Sequence, residues 1–274
     1  MPCCLFDLTN KVAVVTGSGA HGGLGHAIAL GLAGHGADVV AADIDQEGAQ
    51  ITAGEIAGLG RRSLAVHCDT SSPSQVEHLF QEVDREYGRV DILVNNAGVL
   101  SHTRPEQLTI EEWNRVIGVN ITGVFLCAQQ SINRMLRQEK GGSIINISSV
   151  NSVSAMGRGN LVYSASKGAV NQLTRELAVE FAGRGIRVNA ILPAHVRTPA
   201  VRSLVGDRQF SSDKLLARFL AGIPMNRLLE PDDFVGPVVF LASDAAAAVT
   251  GVLLPVDGGN LALNASGSHT WPSL

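Results

Sequence analysis

The stretch Val12-Ala-Val-Val-Thr-Gly-Ser-Gly-Ala-His-Gly-Gly-Leu-Gly25 is the strongest indication of the fold in this chain of 274 residues. Its first five residues are mostly β-branched and apolar, which is typical of a buried strand. A glycine-rich loop follows, and the apolar residues after it recur at helical spacing as far as Ala33. Glycines let a backbone approach a pyrophosphate, and the N-terminus of a helix offers it unpaired N–H groups. A strand, a glycine loop and a helix in this order predict a dinucleotide site.

An acidic residue ends the next apolar run, Asp38–Asp43. It lies about twenty residues after the loop, where a carboxylate accepts hydrogen bonds from the adenosine ribose. Because Asp43 would repel a 2′-phosphate, the sequence favours NAD over NADP; the alternative is a simple strand-end cap. Asp69 ends the third run, and we expect it either to contact the adenine end of the cofactor or to form an N-terminal helix turn.

Apolar runs alternate with helical patterns along the rest of the chain. Strands are predicted at 63–68, 91–94, 143–147, 186–192 and 252–256, and helices from 73, across 109–138 and from 163 to about 183. Runs that are apolar throughout predict a parallel sheet with helices on both faces. We expect an α/β fold, a single doubly wound Rossmann-type domain over residues 1–274 with about seven parallel strands. Residues 198–225 interrupt the pattern as a substrate-loop insertion, and residues 265–274 form a polar tail.

Composition argues against several classes of protein. A net charge of -4 without a basic cluster gives no footprint for nucleic acid. No uncharged apolar run approaches the length of a membrane span, and the first residues lack the pattern of a signal peptide. The histidines show no paired ligand spacing and the cysteines no metal-binding motif, so no metal is expected. We expect a cytoplasmic protein that acts on a small molecule.

The pentapeptide Tyr163-Ser-Ala-Ser-Lys167 can make a phenol acidic. Residues four apart share a helix face, so the Lys167 ammonium can lie beside the Tyr163 hydroxyl. A free tyrosine has a pKa of about 10, and lowering it by about three units takes about 4 kcal/mol, which a nearby cation in a partly dry cleft can largely supply. The pattern therefore predicts an acid/base group; the alternative is a tyrosine and a lysine on an exposed helix face.

Together these features resemble the classical short-chain dehydrogenase/reductase family from about Leu8 to Asn260. Asn95-Asn-Ala-Gly98 resembles the family's motif beneath the cofactor, and the segment 250–259 resembles its last strand. The resemblance implies four catalytic residues, which are Asn120, Ser149, Tyr163 and Lys167. With the loop and the acids it implies a cofactor site made of Gly17, Gly19, Gly23, Leu24, Gly25, Asp43, Asp69, Asn96, Ala97, Gly98, Tyr163, Lys167, Pro193, Val196 and Thr198.

The resemblance also implies a role for each catalytic residue. Tyr163 would be the general acid/base, and Ser149 would donate a hydrogen bond to the substrate oxygen. Lys167 would hold the nicotinamide ribose and depress the Tyr163 pKa, and Asn120 would hold a water that links the lysine to solvent. The expected function is NAD-dependent hydride transfer involving a secondary alcohol or ketone, by a homotetramer or homodimer. The alternatives are an NADPH-dependent 3-oxoacyl-thioester reductase and a non-catalytic, cofactor-sensing protein of the same fold.

Three features depart from the family pattern. The loop after Gly17 is two residues longer than usual. The spacing between the catalytic serine and tyrosine is one residue longer than usual, so Ser148 and Ser152 compete with Ser149. Ala194 stands where the family usually has glycine. Residues 100–103, 151–156 and 198–225, together with a histidine at 195, are expected to line the substrate pocket, and this mixed set favours a neutral substrate.

Overall fold

A seven-stranded sheet, parallel throughout, forms the centre of the computed structural model, which describes residues 5–138, 140–199, 201 and 212–264. The strands in chain order are β1 (Val12–Thr16), β2 (Asp38–Asp43), β3 (Ser63–His67), β4 (Ile92–Asn95), β5 (Gly142–Ile147), β6 (Ile186–Pro193) and β7 (Leu253–Val256). Their order in the sheet is β3-β2-β1-β4-β5-β6-β7. The predicted doubly wound sheet is confirmed, and its direction of winding changes between β1 and β4, where such folds bind ligands.

Helices cover both faces of the sheet. They are α1 (Leu24–Gly34), α2 (Gln46–Gly58), α3 (Pro73–Tyr87), α4 (Ile110–Ile117), α5 (Val124–Gln138), α6 (Leu161–Phe181), α7 (Ser212–Leu220) and α8 (Val235–Ala242). The sequence patterns did not predict α2 or α8. The three glycines of α2 lower its helix propensity, so its sequence does not indicate a helix. Helix α8 is short and apolar on nearly every side, so its sequence shows little helical periodicity.

The hydrophobic core has two parts, one on each face of the sheet. On one face Ile28 and Leu32 of α1 pack with Phe234, and on the other Leu79 of α3 packs with Met135 of α5. Every residue of β1 is buried, and its side chains alternate between the two parts of the core. Continuous apolar runs therefore became central strands, as expected for a sheet covered on both faces.

The helix predicted across 109–138 is not one regular α-helix. It begins as predicted at Thr109, whose side chain accepts a hydrogen bond of 3.2 Å from the N–H of Glu112. Between α4 and α5, however, Gly118–Gly123 winds as a π-helix. This wider turn holds Asn120, which is fully buried and bonds to the backbone of Val99. Such turns are frequent at functional sites, because the extra residue changes where the side chains point.

The insertion predicted at 198–225 is described only in part. Helix α7 lies within this insertion and agrees with the helical stretch that the sequence predicts at 213–220. Residues 200 and 202–211 lie outside the described residues, as do the polar tail at 265–274 and the cysteines at 3 and 4. Within the described part of the chain, no helix combines the length and the apolar character needed to cross a bilayer.

Candidate active site

The glycine loop joins β1 to the N-terminus of α1. Gly23 caps α1 without a side-chain hydrogen bond, and the first turn carries no acid. The helix therefore offers N–H groups and a positive dipole end to an anion. A Cβ on Gly25 would lie 2.2 Å from the carbonyl oxygen of Gly17, and one on Gly17, whose φ is 68°, would lie 2.7 Å from the Cα of Ala97. Close backbone approach thus requires glycine at both positions.

The segment after β4 holds this loop in place. The Asn96 side chain donates hydrogen bonds of 3.0 and 2.8 Å to the carbonyls of Thr16 and Gly17. The Thr16 hydroxyl accepts from the N–H groups of Asn96 and Ala97, both at 3.1 Å. Thr16 was not among the predicted site residues. Its position at the end of β1, next to the first glycine of the loop, could have indicated its role in the site.

Asp43 ends β2 and faces the glycine loop. Its Oδ2 accepts a hydrogen bond of 2.7 Å from the N–H of Gly19, and its Oδ1 accepts one of 2.9 Å from the N–H of Asp45. A carboxylate has further lone pairs, so both oxygens can still accept from a ribose. Asp69 at the end of β3 accepts from the N–H and the hydroxyl of Ser71. The structure thus gives Asp69 the helix-turn role, and its contact with adenine stays a prediction.

Ser149, Tyr163 and Lys167 converge at the carboxyl end of β5. The serine follows this strand, and the other two lie in the first turns of α6. The Ser149 hydroxyl lies near enough to the Tyr163 phenol to lower its pKa, and it accepts a hydrogen bond of 3.1 Å from the N–H of Asn151. The Lys167 ammonium donates a hydrogen bond of 2.7 Å to the carbonyl of Ile147 and lies 5.8 Å from the centroid of the tyrosine ring.

Burial shifts the pKa values of both acid/base groups in this cluster. It raises the pKa of Tyr163 above its ordinary value, and the hydrogen bond from Ser149 lowers it in part. Burial also lowers the pKa of Lys167 to about 8. The Lys167 ammonium is directed to the carbonyl of Ile147, and the expectation that this lysine depresses the pKa of Tyr163 stays a prediction.

Asn120 lies beside the lysine. Its Oδ1 accepts a hydrogen bond of 2.8 Å from the N–H of Val99, and its Nδ2 donates bonds of 3.0 Å to the Val99 carbonyl and to the Ser166 hydroxyl. A Cβ on Gly98 would lie 3.5 Å from both Asn120 Oδ1 and Lys167 Nζ, so the three residues are neighbours. Ser166 was missed, although it follows the tyrosine by three residues and therefore shares its helix face. The water relay through Asn120 stays a prediction.

The structure distinguishes the three competing serines. Ser148 is buried and donates a hydrogen bond of 2.7 Å to Oδ1 of Asn171. The Ser152 hydroxyl donates to the carbonyl of Ser149 and accepts from Nδ2 of Asn171 at 2.7 Å. Of the three, Ser149 is the one whose hydroxyl acts on the pKa of Tyr163. Asn171 was also missed; it lies one turn beyond the lysine on the same face of α6.

A cavity of about 340 Å³ opens above these groups. One side of it is formed by predicted cofactor residues, which are Leu24, Asn96, Gly98, Pro193, Val196 and Thr198. β6 ends at Pro193, and Val196 then pairs with Leu229 in a short bridge. The segments after β1, β4 and β6 that are predicted to bind the cofactor therefore meet at one edge of the sheet, as the doubly wound topology predicts.

The other side of the cavity includes much of the predicted substrate pocket. Leu100, His102 and Met156 lie in its wall, and α7 contributes Phe219. The rings of Phe219 and His195 are stacked with centroids 4.1 Å apart. Burial, followed by the nearby positive charge of an arginine at 158, lowers the pKa of His195 and favours its neutral form.

A larger depression, of about 510 Å³, lies elsewhere, next to Lys140 and Arg184. It borders the starts of β5 and β6, at the amino ends of the strands. Parallel sheets of this type bind ligands at the carboxyl ends, so we place the active site in the smaller cavity, which holds the tyrosine and the lysine.

This fold, with a glycine loop at the switch point and a serine–tyrosine–lysine cluster beside it, defines a class of nicotinamide-dependent oxidoreductases. The family model described as enoyl-(acyl carrier protein) reductase matches residues 17–260. The chain belongs to the classical short-chain dehydrogenase/reductase family.

Relatives and solved structures agree with this membership. The chain is 38% identical over 259 residues to the 2-dehydro-3-deoxy-D-gluconate 5-dehydrogenase of Pseudoalteromonas atlantica, covering 93% of this chain and 97% of that protein. It is 41% identical over 254 residues to 3beta-hydroxysteroid dehydrogenase 1 of Eggerthella lenta, covering 92% and 94%. The structure of a gluconate 5-dehydrogenase from Burkholderia cenocepacia, in complex with NADP and tartrate, superposes with a TM-score of 0.87 at 34% identity, covering 96% and 100%. The relatives are oxidoreductases that act on CH–OH groups.

Proposed function

We propose that this protein transfers hydride between NAD and a neutral secondary alcohol or ketone. The observation that carries the proposal is that Ser149, Tyr163 and Lys167 line one cavity, with the Lys167 ammonium 5.8 Å from the tyrosine ring. Two hydroxyls that point at one place can both bind a single substrate oxygen. The family membership and the intact catalytic set argue against a non-catalytic sensor.

The residues present fit a dinucleotide cofactor. Gly23 has no side chain to cover the N-terminus of α1, so a pyrophosphate can approach its N–H groups. Asn96 bonds to the glycine loop and Gly98 lies next to Lys167, so the segment after β4 lies close to both. Leu24, Pro193 and Val196 supply apolar walls in the part of the cavity next to Lys167. When bound, the nicotinamide supplies the carbon that accepts or gives the hydride.

The protein's own residues handle the proton. Tyr163 would take the proton of the substrate hydroxyl as the C–H bond breaks, and would return it during ketone reduction. Ser149 would donate a hydrogen bond to the same oxygen and stabilise the charge that develops there. With a pKa of about 8, Lys167 is largely protonated at neutral pH, so its positive charge favours the ionised phenol. Asn120 fixes the backbone at Val99 and borders the lysine.

The proposed preference for NAD depends on Asp43. A 2′-phosphate on the ribose would bring negative charge next to this carboxylate, and Ile44, which is 65% exposed, offers no compensating cation. Asp43→Asn should therefore narrow the ratio of kcat/KM for NAD to kcat/KM for NADP. We expect a parental ratio of about tenfold or more, which corresponds to about 1.4 kcal/mol. Asp69→Asn is the matched control and should leave the ratio unchanged; a parent enzyme equally efficient with both cofactors would contradict the proposal.

The proposed substrate class depends on the charge of the pocket. Among the described residues that line it, Lys167 is the one lysine or arginine, and there is no carboxylate. A panel of neutral cyclic, aliphatic and polyhydroxy alcohols, with matched hydroxy acids, should be screened for formation of reduced nicotinamide. We expect the best substrates to be neutral. Consumption of NADPH with a 3-oxoacyl thioester, combined with no activity on alcohols, would instead support the alternative reductase.

A further inference from the structure

Three side chains that can bind a metal meet beside the glycine loop. His21 lies within the loop, His26 lies in the first turn of α1, and Glu55 lies in the last turn of α2. Nε2 of His26 is 2.7 Å from one oxygen of Glu55, and Nε2 of His21 is 3.4 Å from the other. The centroids of the two imidazole rings are 4.8 Å apart. The sequence spacing did not predict this cluster, because the fold brings α2 against the loop.

We propose that His21, His26 and Glu55 bind a divalent transition-metal ion, with zinc as the biological occupant. Two imidazoles and a carboxylate form a donor set that zinc accepts, with a fourth position left for water. Imidazole nitrogen suits zinc, cobalt, nickel and copper, whereas magnesium and calcium prefer oxygen ligands. One potential ligand atom from each of the three residues lies within 4.8 Å of the others.

The ligands need to move only a little to hold an ion. Tetrahedral zinc with bonds of about 2.1 Å keeps its ligand atoms about 3.4 Å apart. The contacts of 3.4 Å from His21 and 2.7 Å from His26 go to different oxygens of Glu55, and one ligand atom from each of the three residues lies within 4.8 Å of the others, so small side-chain rotations would bring them to this spacing. The His26 side chain is 9% exposed and is held in the helix, whereas that of His21 is 70% exposed. The exposed imidazole can therefore turn towards an ion that the other two ligands position.

The surroundings leave the ligands available. Among the described residues, the polar partners of the Glu55 side chain are the two histidines, and no lysine or arginine pairs with it. The contact between His21 and Glu55 is exposed and adds little stability by itself. An ion would link the glycine loop to α2. Its ligand in the loop, His21, lies between Gly19, whose N–H binds Asp43, and Gly23, which caps α1. The ion would thus be structural, stiffening the longer loop that we propose to bind the pyrophosphate.

Cobalt(II) titration of the metal-stripped, full-length protein tests this proposal, because tetrahedral cobalt absorbs visible light. We expect one cobalt ion per chain, displaced when zinc is added. His21→Ala should weaken cobalt binding by at least about tenfold, the lower end of the loss that even an outer-shell change causes. Glu55→Gln should also weaken it, because the neutral amide is a poor ligand. His78→Ala, which removes an exposed histidine of α3, should leave cobalt affinity unchanged.

Thermal unfolding gives a second readout that does not depend on catalysis. Zinc should raise the Tm of the parent and of His78→Ala, but not that of His21→Ala, since an ion that binds the folded state stabilises it. Should Glu55→Gln fail to fold, His21→Ala decides the question, because it removes an exposed side chain. The proposal is overturned if cobalt binding gives no visible bands, if His21→Ala binds cobalt as tightly as the parent, or if a near-ultraviolet thiolate band places the ion on cysteine.

Discussion

Replacing the buried lysine with methionine should stabilise the protein near pH 7 while removing its activity. Burial lowers the pKa of Lys167 from 10.5 to about 8. Keeping this side chain protonated in the folded state therefore costs about 3 kcal/mol. Lys167→Met removes that cost, but leaves the carbonyl of Ile147 without its donor, which costs about 1–3 kcal/mol. The net expectation is a gain of about 1 kcal/mol in the free energy of unfolding at neutral pH.

The pH dependence of stability separates the cost of keeping Lys167 protonated from the loss of its hydrogen bond to Ile147. Between about pH 8 and pH 10.5 the unfolded chain binds more protons at this lysine than the folded chain does. The stability of the parent should therefore rise with pH in this window, by up to about 1.4 kcal/mol per pH unit, from this group alone. Methionine does not titrate, so Lys167→Met should lack this component of the rise. The advantage of the variant should shrink as the pH increases and then reverse, because the parent keeps its hydrogen bond to Ile147.

Urea unfolding at a series of pH values measures this difference. Lys11→Met is the control, since it removes a lysine that is partly exposed at the start of β1. Its difference from the parent should vary less with pH across the same window. A difference between the parent and Lys167→Met that stays constant from neutral to alkaline pH would contradict this prediction, because it would mean that the folded lysine titrates at its ordinary value.

Two further predictions concern the serine and the assembly. Ser149→Ala should lower kcat by about 10²–10³-fold, as expected for the loss of one donor to a developing oxyanion, while Ser152→Ala should have a much smaller effect on kcat; the reverse ranking would move the catalytic role to Ser152. The protein should also form a homodimer or homotetramer, because α5 and α6 expose apolar side chains such as Phe125, at 42%, and Val179, at 82%. Light scattering at micromolar concentration checks the assembly, and the mass of a single chain would contradict it.

The sheet could be predicted from the sequence because its strands are buried on both faces. A strand such as β1, which needs apolar residues at every position, stands out against amphipathic helices. The start of α3 was equally readable, since Ser72 and Pro73 fit the first positions of a helix. Helix α8 gave no such signal, because a helix that is apolar on nearly every side has no polar face to mark its period.

Side-chain partners were harder to predict than elements. The pairing of Asn120 with Val99 depends on a π-helical turn that no residue pattern indicates. We place Ser149 in the candidate site because Asn171 of α6 forms hydrogen bonds with the hydroxyls of both Ser148 and Ser152. The contact between His21 and Glu55 depends on how α2 packs against the loop. Each of these features arises from three-dimensional packing between segments that are distant in the sequence.

Turnover by Tyr163→Phe shows most directly whether Tyr163 moves the substrate proton. Phenylalanine keeps the ring and removes only the phenol hydroxyl, which faces the same cavity as Ser149. With the best alcohol from the substrate screen and saturating NAD, the formation of reduced nicotinamide should fall by about 10²–10⁴-fold, because the general base is gone. The dissociation constant for NAD should change little. Near-parental turnover by Tyr163→Phe would contradict the account, since the proton would then leave by a route that does not involve this tyrosine.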